Sequence, residues 1–224
     1  MSFSNEWEES YAAGTHLSIW PWSDLVSLVY RHCADLIRER GKVLELGCGA
    51  GANIPLFVHL GLDYHAVEGS PTIVDTLRQR YPQLAAKIAL GDFTRDQPYG
   101  EGFGVIVDRA SLTHNDTESI RRALALAHRA LRPNGLFLGV DWFSTRHSDY
   151  LRGQQDADTH TRSGYRSGQF AGVGRVHFSD EIHLRDLFAG WKLELLEEIQ
   201  VRRAQPADGH IFSSWKVVAR KVDY

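Results

Sequence analysis

Val43-Leu44-Glu45-Leu46-Gly47-Cys48-Gly49-Ala50-Gly51-Ala52-Asn53 decides how the rest of the chain is read. A short apolar run carrying one acid ends in glycines at every second position. That is the pattern of a buried parallel strand that stops abruptly and gives way to a helix. Glycine admits positive φ and lets a ligand approach the backbone. The helix that follows aims its unpaired N–H groups over the turn. In an open α/β sheet, the space outside the carboxyl end of the first strand is where a nucleotide-like ligand binds.

Upstream of this turn, Ser23 and Asp24 are placed to cap a helix running to about Arg40, which Gly41 ends. Downstream, a short helix spans about Asn53–Leu60, with Pro55 in its first turn. Tyr64–Glu68 reads as a second strand ending in an acid. Ser70 and Pro71 then open a helix that runs to about Tyr81. Residues 85–90 form a third expected strand, followed by Gly91-Asp92-Phe93. Gly104–Asp108 is a fourth, again ending in an acid. An alanine- and leucine-rich helix over Thr117–Leu131 is stopped by Pro133-Asn134-Gly135, ahead of a fifth strand at Leu136–Asp141. Strands alternating with helices imply right-handed crossovers and a parallel sheet. Trp191–Val201 and Ile211–Lys221 read as a closing antiparallel hairpin.

Two stretches fall outside this rhythm. Residues 1–22 hold Trp7, Trp20 and Trp22 and read either as a segment stapled across the core or as a lid over the cleft. Residues 142–178 are polar and glycine-rich and are too long for an ordinary connection, so they read either as a functional insert or as a flexible loop. The expected organisation is a lid segment at 1–22 and one catalytic domain at 23–224 carrying that insert.

A length of 224 residues with 43% hydrophobic and 24% charged residues fits one sizeable globular domain. A formal charge of −3 gives no electrostatic footprint for nucleic acid. Cys33 and Cys48 show neither disulfide nor zinc spacing, so a reducing, cytoplasmic setting is expected. No apolar run reaches the length of a membrane span. Oligomeric state, monomer or homodimer, is not written in the chain.

The motif Gly47-x-Gly49-x-Gly51, with an acid ending the next strand, resembles two families. One is the dinucleotide fingerprint, with Ala52 supplying its last position. Three features favour the other: Asp92-Phe93 after the third strand, Asp108 followed by Arg109-Ala110-Ser111, and a final hairpin in place of another βαβ unit. With Leu131-Arg132-Pro133-Asn134-Gly135 before an apolar strand, the chain resembles the class I S-adenosylmethionine-dependent methyltransferases over about residues 24–220.

That resemblance implies an α/β, Rossmann-like fold: a seven-stranded, mostly parallel sheet with a C-terminal antiparallel hairpin and helices on both faces. It implies S-adenosylmethionine as cofactor. No pair among His114, His147 and His177 shows the tight ligand spacing of a zinc helix or knuckle, so no metal is expected. Glu45, Gly47, Gly49 and Gly51, with Cys48 among them, would line the methionine portion. Glu68 would accept both ribose hydroxyls, with Gly69 and Ser70 flanking the adenosine. Asp92 would meet the adenine amino group and Phe93 its face, while Asp108 and Arg109 would sit beside the sulfonium and the acceptor.

Methyl transfer is an in-line displacement, so the enzyme mainly aligns the partners and excludes water. A hydroxyl acceptor also needs a base, and His114, His147 and His177 are the candidates. Asp149 and Tyr150 are candidate partners of His147. No Asn-Pro-Pro-Tyr follows the fourth strand, which argues against a nucleic-acid substrate. Trp20, Trp22, Trp142 and the polar insert suit a polar small molecule, such as a sugar or secondary metabolite, methylated at a hydroxyl or amino group. The competing readings are an NAD-dependent reductase, for which no Tyr-x-x-x-Lys pair stands in the chain, and a non-catalytic cofactor-binding module of the same fold.

Overall fold

A computed structural model describes residues 5–15 and 17–222, so the first four residues and His16 of the expected lid lie outside the described residues. Chain order begins with helices α1 (Asn5–Ala12), α2 (Ser23–His32) and α3 (Ala34–Glu39). Then come β1 (Lys42–Leu46), α4 (Ile54–His59), β2 (Asp63–Glu68), α5 (Pro71–Arg80), β3 (Ile88–Leu90) and β4 (Phe103–Arg109). They are followed by α6 (Thr117–Ala130), β5 (Leu131–Phe143), and the short strands β6 (Gln154–Gln155), β7 (Thr161–Ser163) and β8 (Val176–His177). The chain closes with α7 (Glu181–Leu187), β9 (Trp191–Arg202) and β10 (Ile211–Lys221).

Seven strands form one sheet in the order β3-β2-β1-β4-β5-β10-β9. Pairing is parallel from β3 to β5, and β10 runs antiparallel to both β5 and β9. The order reverses beside β1, which opens a crevice above its carboxyl end. Side chains alternate between the two faces as the strand period requires. Val43, Val105 and Leu138 pack with Leu25, Phe57 and Leu77 of the helices before β4. Leu44, Ile106 and Phe137 pack on the opposite face with Ile120, Leu124 and Leu184 from α6 and α7.

Several boundaries differ from expectation. The helix expected over 23–40 is two helices broken at Cys33, whose φ of −114° and ψ of 24° leave the helical region. Neither Ser23 nor Asp24 caps it; Trp22 stands at the cap position and makes no side-chain bond there. Ser70 does cap α5, accepting from the Ile73 amide at 3.1 Å. The third strand is only Ile88–Leu90, because a 3-10 helix occupies Pro82–Lys87. The fifth begins at Leu131, and its register on β4 jumps from Phe103↔Leu131 to Val105↔Leu136, so Pro133-Asn134-Gly135 bulges outward.

The insert folds into a small antiparallel sheet, β6-β7-β8. It packs around its own apolar cluster of Phe143, Phe170, Val173, Val176 and Phe178. Asp116 joins this region to α6, accepting from the Ser119 amide at 2.8 Å as helix cap and from Arg175 Nη1 at 3.4 Å. Asp116→Ala is expected to lower folding stability by about 1–2 kcal/mol. Urea denaturation checks this, and an unchanged midpoint would contradict the cap assignment.

Candidate active site

The glycine turn is held in a form that only glycine accepts easily. Gly47, Gly49 and Gly51 have φ of 65°, 49° and 80°. A Cβ on Gly47 would stand 2.4 Å from Ser111 Cβ, and one on Gly51 would stand 2.6 Å from Leu77 Cδ2. A third, on Gly49, would meet the Tyr11 hydroxyl at 3.0 Å. The turn is therefore a cradle pressed between α1, α5 and the loop after β4.

Three carboxylates are buried around it. Glu45 accepts from Asn53 Nδ2 at 2.7 Å and from the Tyr64 hydroxyl at 2.6 Å. Burial raises its pKa to about 7 against those two bonds. Glu68, 3% exposed, accepts from the Gly49 amide at 2.8 Å and the Ser70 amide at 2.9 Å. Burial raises its pKa, and the backbone amides pull the other way. A carboxylate offers about four lone-pair sites, so Glu68 keeps capacity for a diol. Asp108 accepts from Trp142 Nε1 at 2.7 Å, from the Leu112 amide at 3.0 Å and from the Ser111 hydroxyl. Burial brings its pKa up to about 6. Acids concentrated at this turn favour a cationic, hydroxyl-bearing ligand and oppose a pyrophosphate. This observation separates a sulfonium cofactor from a dinucleotide.

A cleft of about 420 Å³ lies over the turn. Glu45, Gly47, Cys48, Gly49, Glu68, Gly69, Asp92, Phe93, Arg109 and His114 of the expected site residues line it. Gly51, Ser70 and Asp108 do not. Gly51 packs beneath on Ile54 and Leu77, and Ser70 is the cap of α5. Asp108 has both oxygens occupied and no exposure. Asp92 accepts from the Thr94 amide at 3.0 Å and its hydroxyl at 2.7 Å, which presents the acid at the end of β3.

The roof of the cleft comes from the first residues of the chain. Trp7, Tyr11, Leu17, Ser18 and Trp22 all line it. Glu8 fastens α1 by accepting from the hydroxyls of Ser70 and Thr72. The Trp7 ring meets the His114 ring edge-on at 4.8 Å. Trp22 lies under the Arg109 guanidinium, 3.8 Å from Cζ to the ring centroid, while Arg109 Nη2 pairs with Asp141 at 2.6 Å. Trp20, by contrast, is 70% exposed and outside the lining. Ala50, Ala52, Asn53, Gly91, Ala110 and Ser111, which stand within the sequence motifs with no role in the expected site, also line the cleft. So do Tyr11 and Asn115, and for Tyr11 only the aromatic density of residues 1–22 pointed there.

The three histidines separate. His114 is in the wall, its Nδ1 at 2.9 Å from the Arg175 carbonyl. A carbonyl only accepts, so Nδ1 carries the proton and Nε2 is the basic nitrogen of the neutral ring. His147 is buried behind the cleft among Phe143, Phe170, Phe178 and Phe212. His177 is buried against His183, with Nε2 atoms 3.0 Å apart, and bonds Thr161. Neither His147 nor His177 lines the cleft, and nor does Trp142, which is core. The insert had been expected to shape the acceptor pocket. Its residues bond one another and the neighbouring strands instead, and it backs the cleft from behind, through the Arg175 carbonyl on His114 and through its apolar cluster packed against Trp7 and Ala110.

Among the described residues, one trio of suitable groups comes together as metal ligands would: His147, Asp149 and His210. The Asp149 amide, however, donates to His147 Nδ1 at 3.0 Å. The proton of the neutral ring then sits on Nε2, which leaves that buried nitrogen no lone pair for a metal.

Residues 43–135 match the family model described as a methyltransferase domain. No curated protein sequence matches the chain. Among solved structures, the fold is similar to 1,6-didemethyltoxoflavin-N1-methyltransferase of Burkholderia thailandensis, bound to 1,6-didemethyltoxoflavin and S-adenosylhomocysteine. That pair has a TM-score of 0.61 at 18% identity, over 98% of this chain and 85% of the other. It is also similar to an S-adenosylmethionine-dependent methyltransferase of Methanosarcina mazei, with a TM-score of 0.65 at 14% identity over 82% of this chain and 93% of that one. A Rhodobacter sphaeroides protein that carries the name of a zinc-dependent alcohol dehydrogenase aligns at TM-score 0.66 and 14% identity, over 98% and 100%. At such identities likeness speaks for the fold alone. The domain match, the antiparallel end of the sheet and the acid-lined turn are what define the class. Residues 43–135 are a methyltransferase domain, and the protein is an S-adenosylmethionine-dependent methyltransferase of Rossmann-like fold, with S-adenosylmethionine as its cofactor.

Two outcomes follow from this geometry. Gly47→Ala should lower affinity for S-adenosylhomocysteine about 5- to 150-fold in calorimetry, because its Cβ collides with Ser111 and strains the turn by about 1–3 kcal/mol. Unchanged affinity would contradict the cradle. The second concerns His147, whose pKa burial holds down at about 4. The neutral ring's contribution to stability is complete above the ordinary value near 6.5 and is lost as pH falls through about 4. His147→Leu should therefore lose less of its urea midpoint than the wild type between about pH 7 and about pH 5. Equal losses would contradict the assignment.

Proposed function

We propose that this enzyme methylates a hydroxyl or amino group of a polar small molecule held beneath residues 7–22, against Arg109, Ala110 and His114. The observation that carries this reading is the roofed cleft. At about 420 Å³ it falls near the small end of ligand sites, and α1 and Trp22 close it above. Such a space suits a small acceptor and not a polymer, in keeping with the formal charge of −3. The two cysteines are free and buried, which suits the reducing cytoplasm.

The residues that face the cofactor divide the work in this reading. Glu68 holds the ribose diol through the lone pairs its backbone donors leave. Asp92 and Phe93 take the adenine edge and face. Gly47, Cys48, Gly49 and Glu45 surround the methionine portion, and the nearby carboxylates favour its positive charge. Bound S-adenosylmethionine supplies a methyl group that is already activated. What the chain adds is alignment and exclusion of water by Trp7, Tyr11 and Trp22. For a hydroxyl acceptor, His114 takes the proton at Nε2. The Arg175 carbonyl fixes that tautomer and would stabilise the imidazolium formed.

Glu68→Ala should weaken S-adenosylhomocysteine binding by roughly 2–3 kcal/mol, more than tenfold in Kd. Calorimetry measures it, and an unchanged Kd would refute the ribose assignment. His114→Ala should reduce methyl transfer to hydroxyl acceptors by about 10²–10⁴-fold with cofactor affinity nearly intact. Release of S-adenosylhomocysteine across a panel of hydroxylated and amino acceptors is the readout. Full activity in this variant would remove His114 from the mechanism.

A further inference from the structure

The loop carrying His114 is short, strained and held from below. Ala110 has a φ of 59°, which a residue with a side chain rarely adopts. A 3-10 turn at Leu112–His114 follows, and then Asn115, whose side-chain amide donates to the carbonyls of Ser111 and Leu112 at 3.2 and 3.3 Å. The Thr113 hydroxyl donates to the Ala110 carbonyl at 2.6 Å. Ala110, Ser111, His114 and Asn115 all reach the cleft, so the height of this loop sets its floor on the acceptor side.

Asp108 is the group beneath it. Its side chain is fully buried and does not reach the cleft. One oxygen accepts from the Leu112 amide and the Ser111 hydroxyl, both in the loop. The other accepts from Trp142 Nε1 on β5 at 2.7 Å. Trp142 is locked in turn by Phe137 and Phe188, and a Cβ on Gly139 would come within 3.0 Å of its Nε1. The single Ser111 proton lies between Asp108 and the Leu46 carbonyl, so the loop is also tied to the end of β1. Each contact joins the acceptor loop to a strand of the sheet.

We infer that Asp108 is a positioning residue and not a cofactor ligand: with Trp142 it forms a buried strut that sets the loop 110–115, and therefore His114, over the glycine turn. A carboxylate suits this post because all its neighbours are donors. An amide in its place would turn an NH₂ toward either Trp142 or the Ser111–Leu112 pair, setting donor against donor. The inference rests on the reading of His114 as the group that serves the acceptor.

The test is a double-variant cycle on the full chain: Asp108→Asn, Trp142→Phe, and both together. Removing the indole N–H lets the amide face apolar surface, so the pair should recover what Asp108→Asn loses. Nitrogen-15 NMR of the S-adenosylhomocysteine complex reads the His114 tautomer without an acceptor. In the wild type, and in the double variant, Nδ1 should be the protonated nitrogen. In Asp108→Asn the two tautomers should mix, and methyl transfer should fall about a hundredfold, as a small misplacement of a reacting group produces. S-adenosylhomocysteine affinity should stay within about threefold, since no cofactor contact is removed.

Loss of cofactor binding in Asp108→Asn, with its His114 tautomer unchanged, would make Asp108 a ligand and overturn the inference. So would a double variant no better than Asp108→Asn in tautomer and transfer. If Asp108→Asn does not fold, the folded double variant, compared with Trp142→Phe, decides by the same tautomer and transfer readouts. His114→Ala, run in parallel, keeps the two readings apart. Full transfer there removes the base, while the tautomer in the other variants still reports on the strut.

Discussion

A carboxylate taken out of water must be bonded by donors or become neutral, and this chain takes three of them out of water around a single turn. Most of the local architecture follows from that constraint. Glu45 draws Asn53 and Tyr64 inward, which ties the start of α4 and the middle of β2 to β1. Glu68 gathers amides from the glycine turn and from the start of α5. Asp108 gathers the loop after β4 and the indole of β5. Each acid is paired, and burial raises the pKa of each, so that a nearby positive charge would favour the ionised form. A sulfonium would supply such a charge.

Closure of the cleft obeys a different logic. The roof is one short helix and a strap, neither with a core of its own, and α1 has no buried residues. Glu8 and the Arg109–Trp22 contact hold these parts through polar and cation–π interactions, and the partly buried Trp7 and Tyr11 pack against the neighbouring apolar clusters. The insert is the opposite case, with five buried apolar residues and a sheet of its own. It acts as scaffold and backs the cleft, with the Arg175 carbonyl and Phe143 behind His114 and its apolar cluster against Trp7 and Ala110.

The fold was legible because strand and helix periods are local. Alternation placed the sheet, and the acids at 45, 68, 92 and 108 marked strand ends without any knowledge of packing. The break at Cys33 was hidden because no proline or glycine announces it. The site was half legible. Glycines and strand-end acids are set by backbone geometry, so their positions follow from sequence. Which histidine meets the cleft depends on long-range packing. His147 follows β5 closely in sequence, but Phe170 and Phe212 close around it. Likewise, Trp142 looks like an acceptor-facing aromatic until the pull of Asp108 on its N–H is seen. The docking of α1 depends on Glu8 meeting Ser70 and Thr72, residues far along the chain that no local pattern connects.

In the proposed function, cofactor and acceptor meet between the strand ends and the roof of α1 and residues 17–22, and the insert stays out of the cleft. Hydrogen exchange of the full chain, with and without saturating S-adenosylhomocysteine, tests this most directly. Added protection is expected in α1, residues 17–22, the glycine turn, residues 68–70 and 91–93, with residues 150–174 unchanged. Protection concentrated in residues 150–174, with α1 and the strap exchanging as before, would contradict it.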